Sequence, residues 1–131
     1  MLFEDALKEL SIPNQLTLAN DGLELMSQLE ILPTHPPPQV IFLDLNMPRK
    51  NGFECLTEIR RTPKMKDIPV VILSTTASDD VVDKTYQQGA NYFICKPRSF
   101  SLLVKVIEIL LTLELRQTRQ PPKEKFVLMI T

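Results

Sequence analysis

The chain has 131 residues, of which 44% are hydrophobic and 24% are charged, a balance typical of a globular protein with one core. Fifteen basic and sixteen acidic side chains leave a formal net charge of -1, which argues against a broad nucleic-acid surface. No stretch is long and apolar enough to predict a membrane span, and no signal peptide opens the chain. Two cysteines without a CxxC spacing favour a reduced, cytosolic protein.

The first third of the chain predicts a helix, a strand and a second helix. Apolar residues at helical spacing open the sequence, and residues 15–19 then alternate polar and apolar side chains as in a half-buried strand. Asp21 and Glu24, three positions apart, fit a capping box for a helix to about residue 32. The prolines that follow predict a stiff surface loop.

The central part of the chain alternates strands and helices. Three strands are predicted to be apolar on both faces, at residues 40–43, 70–73 and 92–95. Between and after them we expect three helices: residues 53–61, a helix capped by Ser78 and closed by Gly89, and a long helix from Ser99 to about residue 117. This order predicts an α/β fold, an open parallel sheet with helices on both faces and a ligand site beyond the carboxyl ends of the strands.

A polar side chain follows each of the three apolar strands: Asp44, Ser74 and Lys96. Because parallel strands end at one edge of the sheet, these residues are expected to converge. A carboxylate can act as a nucleophile towards a phosphoryl group, while a hydroxyl and an ammonium stabilise its oxygens. Singly, each has an ordinary explanation as a turn former, a cap or a solvated lysine. Together they favour a functional site.

Three stretches around these residues resemble the receiver domain of bacterial two-component response regulators. They are residues 40–48 with Asn51-Gly52, residues 68–74 and residues 89–97. The resemblance covers residues 1–118 and implies the flavodoxin-like, doubly wound receiver fold, leaving residues 119–131 as a polar connector and an apolar strand. The proline-rich loop and the trailing segment resemble stand-alone receivers that work with phytochrome-like and other sensor histidine kinases.

The resemblance implies a role for each residue of the predicted site. Asp44 would accept a phosphoryl group from a histidine of the kinase. Lys96 would pair with Asp44 or its phosphate, and Ser74 would bond a phosphate oxygen. Mg²⁺ would be bound by Asp44 and by the backbone carbonyl of Asn46.

Three further features follow from the same resemblance. Phe93 matches an aromatic switch position, whose ring moves inward when Ser74 moves towards the phosphate; the alternative is an ordinary core or interface aromatic. Thr75 matches the position that tunes access of water to the phosphoryl group. The bond between Lys96 and Pro97 is expected to be cis, as is usual in the family.

The sequence departs from the receiver pattern at its start. A receiver begins with a strand that ends in an acidic pair, the main Mg²⁺ ligands, and this chain is expected to be incomplete there. Glu4 and Asp5 fall within the predicted first helix and are not assigned the metal role. Asp44 alone supplies few of the ligands for Mg²⁺, since this ion takes about six oxygen ligands.

The missing strand would leave a vacant central slot, between the strands at residues 15–19 and 40–44. Residues 126–130 are apolar throughout and predict a buried parallel strand. Our hypothesis is that this strand enters the vacant slot, in its own subunit or exchanged with a neighbour. The alternative is that it packs on the outer surface of the domain.

These observations favour a non-enzymatic, phosphoaccepting switch at Asp44 in a histidine-to-aspartate phosphorelay. The expected partners are a sensor histidine kinase or phosphotransfer protein, an output protein, and a second copy bound through the last helix and strand or by exchange of the C-terminal strand. One alternative is a degenerate receiver that binds proteins without phosphorylation. Another is an aspartyl-phosphate hydrolase of the haloacid dehalogenase type, which Asn46 in place of a second aspartate argues against.

Overall fold

The structure is a computed structural model that describes residues 22–30, 40–45, 50–75, 77–95, 99–112 and 120–128. Its elements, in chain order, are α1 (Gly22–Glu30), β1 (Ile41–Asp44), α2 (Gly52–Arg61), β2 (Val70–Ser74), α3 (Asp79–Gln87), β3 (Tyr92–Cys95), α4 (Phe100–Thr112), a 3-10 turn (Lys123–Lys125) and β4 (Val127–Leu128). The predicted alternation of strands and helices is confirmed. The predicted first helix, the strand at residues 15–19 and the proline-rich loop lie outside the described residues.

The four strands form one parallel sheet in the order β1-β2-β3-β4. In the register, Asp44 lies opposite Leu73, and Ser74 lies opposite Cys95. All strands therefore point the same way, and their carboxyl ends lie at one edge. The expected α/β architecture with a parallel sheet is confirmed.

Helices cover both faces of this sheet. On one face, α1, α2 and α3 pack against strand residues that include Leu43, Ile72 and Phe93. On the other face, α4 packs through Val106, Ile107 and Leu110 against the alternate strand residues. All five residues of β2 are buried because this strand has neighbours on both sides and helices above and below.

Local sequence explains where α2 and α3 begin and end. Asn51 caps α2: its side chain accepts a hydrogen bond from the Glu54 amide at 3.0 Å, and the Glu54 carboxylate accepts one from the Asn51 amide at 3.2 Å. Ser78 occupies the N-cap position of α3 but makes no side-chain cap bond, which corrects the expectation that it caps this helix. Aspartates in the first turn complement the helix dipole there. Gly89, at φ 97°, closes α3 as predicted.

The hypothesis for the C-terminal strand is wrong about its position. Residues 127–128 do form a parallel strand, but β4 pairs with β3, with Phe93 opposite Val127 and Ile94 opposite Leu128. This is the opposite edge of the sheet from the proposed slot beside β1. The segment pairs with β3 of its own chain, so it does not fill the slot in its own subunit.

The physical reason is a set of contacts that the segment makes with α3 and β3. Phe126 is completely buried there, with its ring against those of Tyr86 and Phe93. The side chain of Gln120 donates to two carbonyls at the end of α3. These contacts hold the segment on β3, at the opposite edge from β1.

None of the described helices is long and apolar enough to cross a membrane.

Candidate functional site

Two of the predicted site residues lie at the ends of neighbouring strands. Asp44 is the last residue of β1 and Ser74 the last residue of β2. Because Asp44 is in register with Leu73, Ser74 follows one position further along the adjacent strand. The Leu45 amide donates to the Leu73 carbonyl at 3.4 Å, which extends the pairing to the point where both strands end. The carboxylate and the hydroxyl are thus brought to one edge of the sheet.

The start of α2 is packed tightly against the end of β1. The Gly52 amide donates to the Leu45 carbonyl at 3.2 Å. A Cβ on Gly52 would lie 2.6 Å from the carbonyl oxygen of Asp44 and 2.8 Å from the Cα of Leu45, closer than side-chain atoms normally approach. Only glycine permits this approach. Gly52 therefore fixes the backbone that carries Asp44.

Ser74 and Phe93 belong to the same side of the sheet. Phe93 is paired with Ile72, two residues before Ser74, and both Phe93 and Ile72 lie in the core beneath α1, α2 and α3. Side chains alternate along a strand, so Ser74 shares the face of Ile72. Ser74 is 2% exposed and Phe93 is completely buried. This position suits a core aromatic and equally a ring that responds to Ser74.

The remaining predicted residues fall into two groups. Thr75 follows Ser74 and is exposed at the same edge. Asn46, Lys96 and the Lys96–Pro97 bond lie outside the described residues, although Lys96 follows Cys95, the partner of Ser74 in the register.

The donor set for a metal ion is small in the part of the chain that the structure describes. No group of three His, Cys, Asp or Glu side chains there could hold a metal ion. Asp44 contributes one carboxylate, a ligand of the kind that Mg²⁺ prefers, but Mg²⁺ usually takes one or two carboxylates together with substrate oxygens and water. The described residues fit only part of such a site.

Sequence reasoning missed two features around these residues. The capping box of Asn51 and Glu54, which starts α2 beside Asp44, has a local signal, because the two residues have the spacing of such a box. The aromatic contacts of Phe126 with Tyr86 and Phe93 have none, because they join residues far apart in the chain.

Comparisons with known proteins agree with this geometry. The family model described as "Response regulator receiver domain" matches residues 1–108. Among curated proteins, response regulator Rcp1 of Synechocystis sp. is 36% identical over 110 residues, which cover 82% of this chain and 75% of Rcp1.

Solved structures give the same result. The Mn(2+)-bound form of response regulator Rcp1 is similar with a TM-score of 0.75 and 34% identity, covering 92% of this chain and 89% of that one. The phosphorylated cyanobacterial phytochrome response regulator RcpA is similar with a TM-score of 0.78 and 32% identity, with the same coverage of 92% and 89%.

Proposed function

Because the chain belongs to the response regulator receiver domain family and takes part in a histidine-to-aspartate phosphorelay, we propose that Asp44 is its phosphoacceptor. The observation that carries this proposal is the position of Asp44 at the carboxyl end of β1, one register step from Ser74 at the end of β2. Ligands of open parallel sheets bind beyond this edge. A carboxylate and a hydroxyl at that edge suit the transfer of a phosphoryl group.

In the proposed step, a carboxylate oxygen of Asp44 forms a bond to the phosphorus of a phosphohistidine. The bond between phosphorus and the imidazole nitrogen breaks, and its electron pair stays on that nitrogen, which takes up a proton. The product is an aspartyl phosphate. Ser74 is almost fully buried beside this position, and in the product its hydroxyl group donates a hydrogen bond to a phosphoryl oxygen.

Three further roles are proposed on the family resemblance. Lys96 pairs with Asp44 or with its phosphoryl group. We also expect the bond between Lys96 and Pro97 to be cis. Thr75, exposed next to Ser74, tunes the access of water to the phosphoryl group. Phe93 acts as the aromatic switch whose ring follows Ser74.

A divalent cation at this edge would neutralise charge on the phosphoryl oxygens. We propose Mg²⁺, held by the Asp44 carboxylate and the backbone carbonyl of Asn46. Rcp1 has a Mn(2+)-bound form. The described residues supply only part of the donor set that such an ion needs.

We further propose that the protein is a cytoplasmic switch without enzymatic activity of its own towards other molecules. The phosphoryl donor would be a sensor histidine kinase or a phosphotransfer protein. The similarity to a phytochrome response regulator supports a phytochrome-like kinase as donor. The signal would pass to a partner protein or to a second copy of the chain.

The test is the intact mass of the protein after incubation with acetyl phosphate and Mg²⁺. We expect the wild type to gain the mass of one phosphoryl group and Asp44→Asn to gain none. Asp67→Asn is the matched control, because Asp67 is an exposed aspartate that precedes the opposite end of β2. An adduct that persists in Asp44→Asn, or one lost in Asp67→Asn, would contradict the assignment.

A second candidate function is a degenerate receiver that binds proteins without being phosphorylated, which the small metal donor set among the described residues favours. In that case the folded wild type forms no adduct with acetyl phosphate at any Mg²⁺ concentration. A sensor kinase would still bind it, with the same affinity for the wild type and for Asp44→Asn.

A further inference from the structure

Residues 120–128, here the C-terminal segment, lie along the edge formed by α3 and β3. The segment is held at its start by three hydrogen bonds: Gln120 Nε2 donates to the carbonyls of Tyr86 and Ala90 at 2.6 and 2.7 Å, and Tyr86 Oη donates to the Pro121 carbonyl at 2.7 Å. At its end, the Phe93 amide donates to the Phe126 carbonyl at 3.0 Å. The segment therefore binds both elements of this edge.

Phe126 is the fully buried side chain of the segment. It is completely buried, and its ring meets that of Tyr86 edge to face, with 5.0 Å between centroids and an interplanar angle of 74°. The Phe93 ring lies on its other side, with centroids 6.2 Å apart. Aromatic pairs with these separations attract each other beyond their buried area.

Phe126 thus helps to enclose the ring of Phe93, whose own exposure is zero. Phe93 and Ser74 lie on neighbouring strands and share one face of the sheet. A ring that leaves this position towards the strand edge would have to displace Phe126. The docked segment therefore keeps Phe93 inward, on the side of the sheet where Ser74 is buried.

We propose that the C-terminal segment is a latch on the edge formed by α3 and β3, and that its docking is coupled through Phe93 to phosphoryl binding beside Ser74. This inference rests on the proposed function of Asp44. The inward ring accompanies movement of Ser74 towards the phosphate in the proposed switch, so the latch and the phosphoryl group stabilise the same conformation. Coupling between two binding equilibria is reciprocal, so each favours the other.

The first arm of the test measures docking in the full chain by amide hydrogen exchange. Gln120→Ala removes two of the hydrogen bonds that hold the segment, and Phe126→Ala removes its buried ring. Glu124→Ala is the matched control, since Glu124 is exposed in the same segment. We expect the Phe93 amide to exchange at least about fivefold faster in both variants, relative to amides of β2, and to be unchanged in the control.

The second arm measures coupling with beryllofluoride and Mg²⁺, a non-covalent substitute for the phosphoryl group. Saturation should slow exchange of the Phe93 and Phe126 amides in the wild type. The apparent dissociation constant for beryllofluoride should rise by about fivefold or more in Phe126→Ala and in the same direction in Gln120→Ala, while Glu124→Ala stays within about twofold of the wild type. Gln120→Ala keeps the test decisive if Phe126→Ala does not fold.

Failure of the latch and failure of the proposed function give different results. Equal dissociation constants in the wild type and both segment variants would overturn the coupling while leaving Asp44 as phosphoacceptor. A wild type that neither binds beryllofluoride nor accepts a phosphoryl group would overturn both proposals. Unchanged exchange of the Phe93 amide in both variants would overturn the latch itself.

Discussion

At the scale of single residues, Arg60 is a partly buried cation that donates hydrogen bonds to neutral oxygens. Its guanidinium donates to the carbonyls of Gly89, Lys66 and Ile68 at 2.9, 3.1 and 2.8 Å, and to Asn91 Oδ1 at 2.9 Å. Burial lowers the pKa of Arg60, and the charge of Asp67 opposes that shift. The side chain ties the end of α2 to the chain before β2 and β3, at the edge opposite Asp44.

We predict that Arg60→Met lowers the free energy of unfolding by about 2–3 kcal/mol, because three carbonyls and one amide oxygen lose a charged donor. Arg60→Lys should recover only part of this loss, since an ammonium cannot reproduce the planar fork of donors. Urea unfolding followed by circular dichroism measures both changes. Arg61→Met, at an exposed neighbouring position, should stay within about 0.5 kcal/mol of the wild type; a similar loss there would contradict the network.

Gly52 sets the position of the Asp44 backbone. A Cβ added there would lie 2.6 Å from the Asp44 carbonyl oxygen. Gly52→Ala should lower the free energy of unfolding by about 1–3 kcal/mol through overpacking, and it should slow adduct formation with acetyl phosphate by moving Asp44. Chemical denaturation and time-resolved intact mass are the measurements. Ser101→Ala, at an exposed position of α4, is the control, and an unchanged adduct rate in Gly52→Ala would refute the positioning role.

At the scale of elements, α2 and α3 begin in different ways. Asn51 and Glu54 form a complete capping box, whereas Ser78 stands at the N-cap of α3 without a side-chain bond. A polar residue therefore stands at the N-cap of both helices, but Asn51 makes a side-chain hydrogen bond to its helix and Ser78 makes none.

Asn51→Ala should lower the free energy of unfolding by about 1 kcal/mol, as is typical for loss of an N-cap bond. Ser78→Ala should change it by less than about 0.5 kcal/mol, because no cap bond is lost and the position is exposed. Thermal and urea unfolding of the two variants side by side measure the difference. Equal losses would show that the cap bond of Asn51 is not the stabilising contact.

At the scale of the whole molecule, the strands of the sheet differ in how far they are buried and paired. β2 has a paired strand on each side and is buried throughout, while the C-terminal segment contributes a strand of two residues at the edge. Regions with few buried contacts open locally at lower free energy than the core. Among the described strands, β4 at the edge beside β3 is therefore expected to open at a lower free energy than β2.

Native-state hydrogen exchange in low concentrations of urea should resolve two groups of amides. Those of β2 should exchange at the free energy of global unfolding. The Phe93 amide, bonded to Phe126, and the amides of Lys125 and Phe126 should exchange through a smaller opening with a weaker dependence on urea. One common free energy and one urea dependence for both groups would show that the segment opens only when the whole protein unfolds.

The sequence by itself determined the elements and the edge of the sheet at which Asp44 and Ser74 lie. The strands that end at Asp44, Ser74 and Cys95 were predictable because they are apolar on both faces, a pattern that parallel sheets require. The convergence of Asp44 and Ser74 followed from strand direction alone. The strand character of residues 127–128 was also predictable, since the apolar run at residues 126–130 has the length of a buried strand and is short for a helix.

Only the tertiary structure decided where that last strand pairs and what holds it. Its partner is β3, because Phe126 meets Tyr86 and Phe93 and Gln120 meets the end of α3. These contacts join residues 30 or more positions apart, so no local pattern encodes them. The close approach of Gly52 to Asp44 is likewise a distance between elements. Sequence pattern gives each element its buried face, and packing among elements selects which neighbour covers it.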